Sequence, residues 1–227
     1  MPTFAVSAFV VGATWLLLAN AAQAQSLPMA CGSLANAYGP YDYRSDRDKL
    51  SIVETRHFTT EVELLIKGSR GYLGGDLDYT LRAFPNHPKA LLSMMRYGER
   101  LKLPQVPNAH YSVECYFLRA VAFKPDDTTA RMLYATFLEN QSRRAEALAQ
   151  LAAAESYADD YGFTHYNLGL MYFDLGEFEK SQDQAKLALT LGFARPNLKN
   201  KLVAAGHWED DASAAVVGPK AASTASP

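Results

Sequence analysis

Histidines, cysteines and paired carboxylates are the residues of this 227-residue chain that could do chemistry. Their spacing decides which chemistry is open. His57, His87, His110, His165 and His207 are scattered, with no metal-ligand spacing to Cys, Asp or Glu. Glu61/Glu63, Asp76/Asp78 and Asp159/Asp160 would suit acid–base catalysis only if one partner were held protonated, and such pairs read instead as solvated faces or helix caps. Gly71-Tyr72-Leu73-Gly74-Gly75 lacks the Lys-Ser/Thr ending of a phosphate loop and reads as a hinge. No Gly-x-Ser-x-Gly elbow occurs. No catalytic residue, metal or cofactor is therefore assigned. Cys31 and Cys115 form an even pair that permits one disulfide, with two buried thiols as the alternative, because spacing alone does not bring their Cα atoms together.

One segment could bind rather than react. Tyr41, Asp42, Tyr43, Arg44 and Asp46 offer aromatic faces and charges suited to a sugar, or to anchoring a loop across a helical stack. The balance of 22 basic and 24 acidic residues, net −2, gives no electrostatic case for nucleic acid or an acidic membrane.

The elements that must position these residues show a period. Ala120, Ala154 and Ala188 stand 34 residues apart, and Phe117/Leu151/Ala185 and Val113/Ala147/Ser181 repeat the interval. Such a period marks stacked helix–turn–helix units, none able to bury its apolar face alone. Gly162 to Arg195 reads as two helices, with Leu168, Met171, Tyr172 and Leu175 on one face, Gly169 at a close approach and Gly176 at a left-handed turn. Thr128 to Tyr161 repeats the pattern with Ser142 at the turn and Asp126 or Asp127 as cap. Upstream, His87 to Arg100, capped by Asn86, and Asn108 to Phe123 form a distorted unit around a proline-bent loop, 102–107. Asp76 to Phe84 reads as a half repeat.

Before it, residues 25–75 are not repetitive, apart from a short helix Glu61 to Lys67 opened by the capping box Thr60-x-x-Glu63 and broken by Gly68, Gly71, Gly74 and Gly75. Pro196 to Trp208 reads as a capping helix carrying Leu198, Leu202, Ala205 and Trp208. Residues 209–227, rich in Ala, Ser and Pro, are expected to be disordered. Residues 1–24 read as a signal peptide. Phe4 to Ala19 is apolar and Ala22-Gln23-Ala24 supplies a cleavage site, with an uncleaved anchor as the rival reading.

The block Tyr166-Asn167-Leu168-Gly169-x-x-Tyr172-x-x-x-Gly176-x-Phe178, followed by Ala185 and Ala188, resembles a tetratricopeptide (TPR) repeat. With Cys31-Gly32-Ser33, Gly39 to Tyr43 and Asp76 to Pro88, the chain also resembles small exported proteobacterial TPR proteins of unsettled role. The resemblance implies an all-α, TPR-type helical hairpin solenoid over 76–208, with a non-repeat N-terminal segment and a C-terminal cap helix.

It also implies a concave groove lined by the first helix of each unit. Carried over position by position, that groove contains Lys89, Leu92, Arg96 and Arg100, then Thr129, Met132, Thr136 and Asn140, then Phe163, Tyr166, Leu170 and Phe173. It would be basic at one end and aromatic at the other, unless the N-terminal segment folds into it. The expected function is a periplasmic or secreted interaction module that binds a peptide or protein partner. A glycan-binding accessory or envelope enzyme built on the N-terminal segment is the alternative, and self-assembly through a repeat face is a third reading.

Overall fold

The computed structural model describes residues 27–210. The expected signal peptide, and the expected disordered tail from residue 211 onward, lie outside the described residues. Among the described residues there are ten α-helices and no strand: α1 Arg47–His57, α2 Thr60–Glu63, α3 Leu73–Ala83, α4 Pro88–Leu101, α5 Val113–Phe123, α6 Thr128–Asn140, α7 Arg144–Ser156, α8 Gly162–Asp174, α9 Phe178–Thr190 and α10 Pro196–Ala204. The fold is an all-α solenoid of TPR-type hairpins, α4/α5, α6/α7 and α8/α9, entered through α3 and closed by α10.

The period sets the core. Ala120, Ala154 and Ala188 are buried at equivalent places on α5, α7 and α9, as are Phe117/Leu151/Ala185 and Val113/Ala147/Ser181. Small side chains there let the second helix of each hairpin sit close to the first. At Gly169 of α8 there is no room for a side chain, since a Cβ would stand 3.2 Å from the Ser181 carbonyl of α9 and 2.5 Å from Leu198 of the cap helix. Ser181 secures the same crossing by donating from Oγ to the Gly169 carbonyl, 2.8 Å away.

A common device ends the helices. After α4, α6, α8, α9 and α10, a left-handed residue (Lys102, Ser142, Gly176, Gly192 and Gly206) is followed by an N–H that bonds five residues back, as Arg143 does to Leu138 at 2.9 Å and Glu177 to Tyr172 at 2.9 Å. Glycine takes that conformation freely, whereas a side chain there is strained. Ser142 is exposed at φ +60°, so Ser142→Gly should raise the unfolding free energy by about 0.5–1 kcal/mol in urea titration.

Several local expectations are corrected. Asn86 does not cap α4. His87 does, its Nδ1 accepting from the Ala90 N–H at 3.3 Å, while Asn86 is buried and donates to Asp42 and Asp127. Asp127 holds the matching place on α6, accepting from Ala130 N–H at 2.9 Å. Residues 108–112 are not helical: α5 begins at Val113, capped by Ser112, and the connection runs over 102–112. The capping box does not form. Thr59 takes the cap position with its buried hydroxyl unpartnered, and α2 ends at Glu63 before Leu65 turns left-handed at φ +58°. Gly74 and Gly75 lie inside α3, and α10 stops at Ala204.

Cys31 and Cys115 are joined by a disulfide, which ties a 3₁₀ turn at Met29–Cys31 to α5. One turn along α5, Arg119 is buried to 1% exposure and donates from Nη1 to the carbonyls of Cys31 (2.9 Å) and Ser33 (2.7 Å), with its guanidinium 4.6 Å from the Tyr111 ring. Its Nε has no partner.

Candidate partner-binding face

The first helices of the hairpins lie side by side, so α4, α6, α8 and α10 make one layer. Asn140 of α6 donates to Glu99 of α4 at 2.6 Å, and Lys201 of α10 pairs with Asp174 of α8 at 3.1 Å. That layer carries all twelve residues expected to line a groove, which differ in how available they are.

On α4 the N-terminal segment takes part of the face. Lys89 pairs with Glu63 at 3.1 Å, and this contact raises the Lys89 ammonium above its ordinary value. Ser93 donates to the Glu63 carbonyl and Arg100 to the Leu65 carbonyl, at 2.9 and 3.0 Å. Leu92 is half-buried against the main core. Arg96 is exposed and has no ion pair or hydrogen bond among the described residues. On α6, Thr129 is exposed, Met132 packs on the core, Thr136 bonds back to the Met132 carbonyl at 3.1 Å, and Asn140 is spent on Glu99.

On α8 the aromatic end is smaller than expected. Leu170 and Phe173 are half-buried against the cluster centred on Leu198 and Leu202, and Lys201 stands 4.8 Å over the Phe173 ring. Phe163, at 47% exposure, meets Phe193 at 5.5 Å and Tyr161 at 6.0 Å, and Tyr166 meets Phe193 at 5.1 Å. Tyr161 and Phe193 thus join the aromatic patch although they sit in connections between helices. Their only signal in the sequence is an aromatic residue placed just outside a predicted helix.

Of the aromatic and charged N-terminal residues, Tyr41, Asp42 and Tyr43 pack inward, while Arg44 is exposed. Tyr41 meets Phe84 at 5.6 Å, and Tyr43 sits between His87, at 4.5 Å, and the Arg47 guanidinium, at 4.2 Å. Asp42 is buried. Burial pushes its carboxyl up, but hydrogen bonds from Arg44 and Asn86 outweigh this and hold it well below the usual carboxylate range. Asp46 accepts from the Asp42 N–H at 2.7 Å, and Arg44 reaches on to Asp126 at 2.9 Å. These residues bolt the segment to the α3–α4 and α5–α6 junctions, which is the anchoring role rather than a stacking platform.

Among the described residues no group of three or more His, Cys, Asp or Glu could hold a metal ion, and no helix is long and apolar enough to cross a membrane. No protein-family model matches the chain, and no curated protein matches it. The solved structure described as MamA MSR-1 C2 is similar at 16% identity, over 67% of this chain and 80% of that one, with a TM-score of 0.40.

Proposed function

We propose that the chain is a protein-interaction module of the cell envelope, exported to the periplasm, which holds a partner polypeptide along the α4–α6–α8 layer. The observation that carries this reading is the unpaired Arg96 at one end of the layer and the exposed ring of Phe163, beside the half-buried Tyr166, at the other. An exposed aromatic patch and an uncommitted guanidinium are the residue types that dominate binding energy at protein interfaces. A partner with an apolar stretch and an acidic stretch satisfies both.

The test uses the exposed pair, so that the fold is left alone. Immobilised Arg96→Glu/Phe163→Ala protein should retain at least about tenfold less of its envelope partner, identified by crosslinking to the unaltered protein, than that protein does. Equal retention, with matching circular dichroism, removes this layer as the binding face.

A further inference from the structure

The solenoid ends in an unfinished unit, and the chain turns back there. Helices α6 and α8 run for thirteen residues each, whereas α10, next in the same layer, stops after nine at Ala204. Gly206 then takes a left-handed conformation at φ +74°, and the segment after it returns to α9. His207 stacks on Phe178 with ring centroids 3.9 Å apart, and the Glu209 N–H donates to Gln182 Oε1 at 2.5 Å. Between this returning segment, the α8–α9 turn and the first two turns of α9 lies a cleft of about 760 Å³. The volume falls in the range of ligand sites.

The charges that line the cleft do not balance. Glu177, Glu179, Asp183 and Glu209 stand against one ammonium, that of Lys180, which lies 5.3 Å from the Tyr172 ring. Arg144, from outside the cleft, pairs with Glu177 at 2.7 Å, so four carboxylates still meet only two cations. The next cations along, Lys186 and Lys199, lie over the Trp208 ring, and Lys199 also pairs with Asp210 at 3.4 Å. The carboxylates of Glu179, Asp183 and Glu209 have no ion pair or hydrogen bond among the described residues. Glu179 and Asp183 are one turn apart on α9, a spacing at which like charges repel, so a cation between them relieves a cost. The cleft also has an aromatic wall. His207 is exposed, with one imidazole face on Phe178 and no ring against the other among the described residues. Gln182 has its oxygen engaged by Glu209, while its amide N–H groups have no partner among the described residues.

We infer that this cleft is a second docking site, which takes an arginine side chain of a partner polypeptide. A planar guanidinium continues the Phe178–His207 stack and reaches both Glu179 and Asp183 with separate N–H donors, whereas an ammonium has no flat face to stack. The Gln182 amide donates to a carbonyl of the peptide, an acceptor that a polyamine lacks. An inorganic cation is not matched, because no three carboxylates or other ligating side chains converge among the described residues. None of Arg96, Phe163 and Tyr166 lines the cleft, so this site and the α4–α6–α8 layer stand or fall separately.

Titration of the ¹⁵N-labelled chain at pH 7.5 with acetyl-Gly-Arg-methylamide tests it. Saturable amide shifts should be confined to Gly176, Gln182, Asp183, Gly206, His207 and their neighbours. The arginine compound should bind about fivefold tighter than its citrulline counterpart, a neutral isostere, which is the upper range for an exposed ion pair. The lysine compound should fall between the two. Glu179→Gln/Asp183→Asn changes two exposed side chains, so circular dichroism should be unaltered while the arginine and citrulline compounds become equal. Absent shifts, or equal affinity of the unaltered chain for arginine and citrulline, overturn the proposal. So does magnesium chloride or spermidine if it moves these amides while the peptide does not, because that outcome assigns the cleft to an inorganic cation or a polyamine.

Discussion

Replacing Cys31 and Cys115 together by alanine is expected to lower the unfolding free energy by about 4.5 kcal/mol. The bridge joins positions 84 residues apart, and closing so long a loop removes much of the unfolded chain's entropy. Both cysteines are buried, at 2% and 6% exposure, so the side chains themselves are part of the core. The tether matters more here than the loop length suggests, because of what lies one turn away. Arg119 is a fully buried cation whose Nη1 depends on the carbonyls of Cys31 and Ser33. If the N-terminal turn lifts off, that guanidinium loses its acceptors, and a buried charge without partners is costly. The two losses should therefore be coupled. In urea titrations, the destabilisations of the double-cysteine variant and of Arg119→Met should sum to more than that of the combined variant. A change below about 1 kcal/mol on removing the cysteines would show that the bridge does not hold the fold together.

What the sequence made legible follows from periodicity and stops where the period stops. The alanine, phenylalanine and leucine positions of α5, α7 and α9 could be read because each unit must bury the same face against the same neighbour. Gly176 and Ser142 could be read because a two-helix turn needs a left-handed residue at that point. Helix α1 is not legible in the sequence. Only Leu50 and Val53 of Arg47–His57 are buried, so it carries almost no apolar stripe, and its place is set by packing beside α3 and the tyrosines of the segment before it. Asn86 reads as a cap because asparagine suits that position locally. Asp42 and Asp127, distant in sequence, claim its amide, and the cap passes to His87. The twelve residues carried over by the repeat pattern lie on α4, α6 and α8. Which of them are free depends on contacts from Glu63, Leu65 and α10 that no repeat pattern encodes.

His87 should make the fold acid-sensitive well above the pH at which carboxylates titrate. The ring is fully buried between Tyr43 and Phe58, and burial pushes its pKa down to about 3. Its Nδ1 accepts from Ala90, so the proton sits on Nε2 and points to Glu54, 3.3 Å away, while Lys89 and Arg47 add repulsion against a second proton. An unfolded histidine titrates near pH 6.5. Above that value neither state binds the proton and stability does not depend on it. Between about 6.5 and 3 the unfolded chain takes up a proton that the folded chain refuses, so stability falls as pH falls. The slope approaches about 1.4 kcal/mol per pH unit, for a loss of roughly 2 kcal/mol between pH 6.5 and 5 and about 4–5 kcal/mol over the whole window. Asp42 acts in the same direction but later. Its carboxylate is favoured in the folded state, so its contribution is present above the ordinary carboxylate pKa and is lost only as pH drops below it. Urea midpoints at pH 7.5, 6 and 5 separate the two. His87→Asn keeps a capping oxygen and removes the titration, so it should be weaker than the unaltered chain at pH 7.5 yet nearly flat down to pH 5. Parallel slopes for the two proteins would place the acid response elsewhere than in this ring.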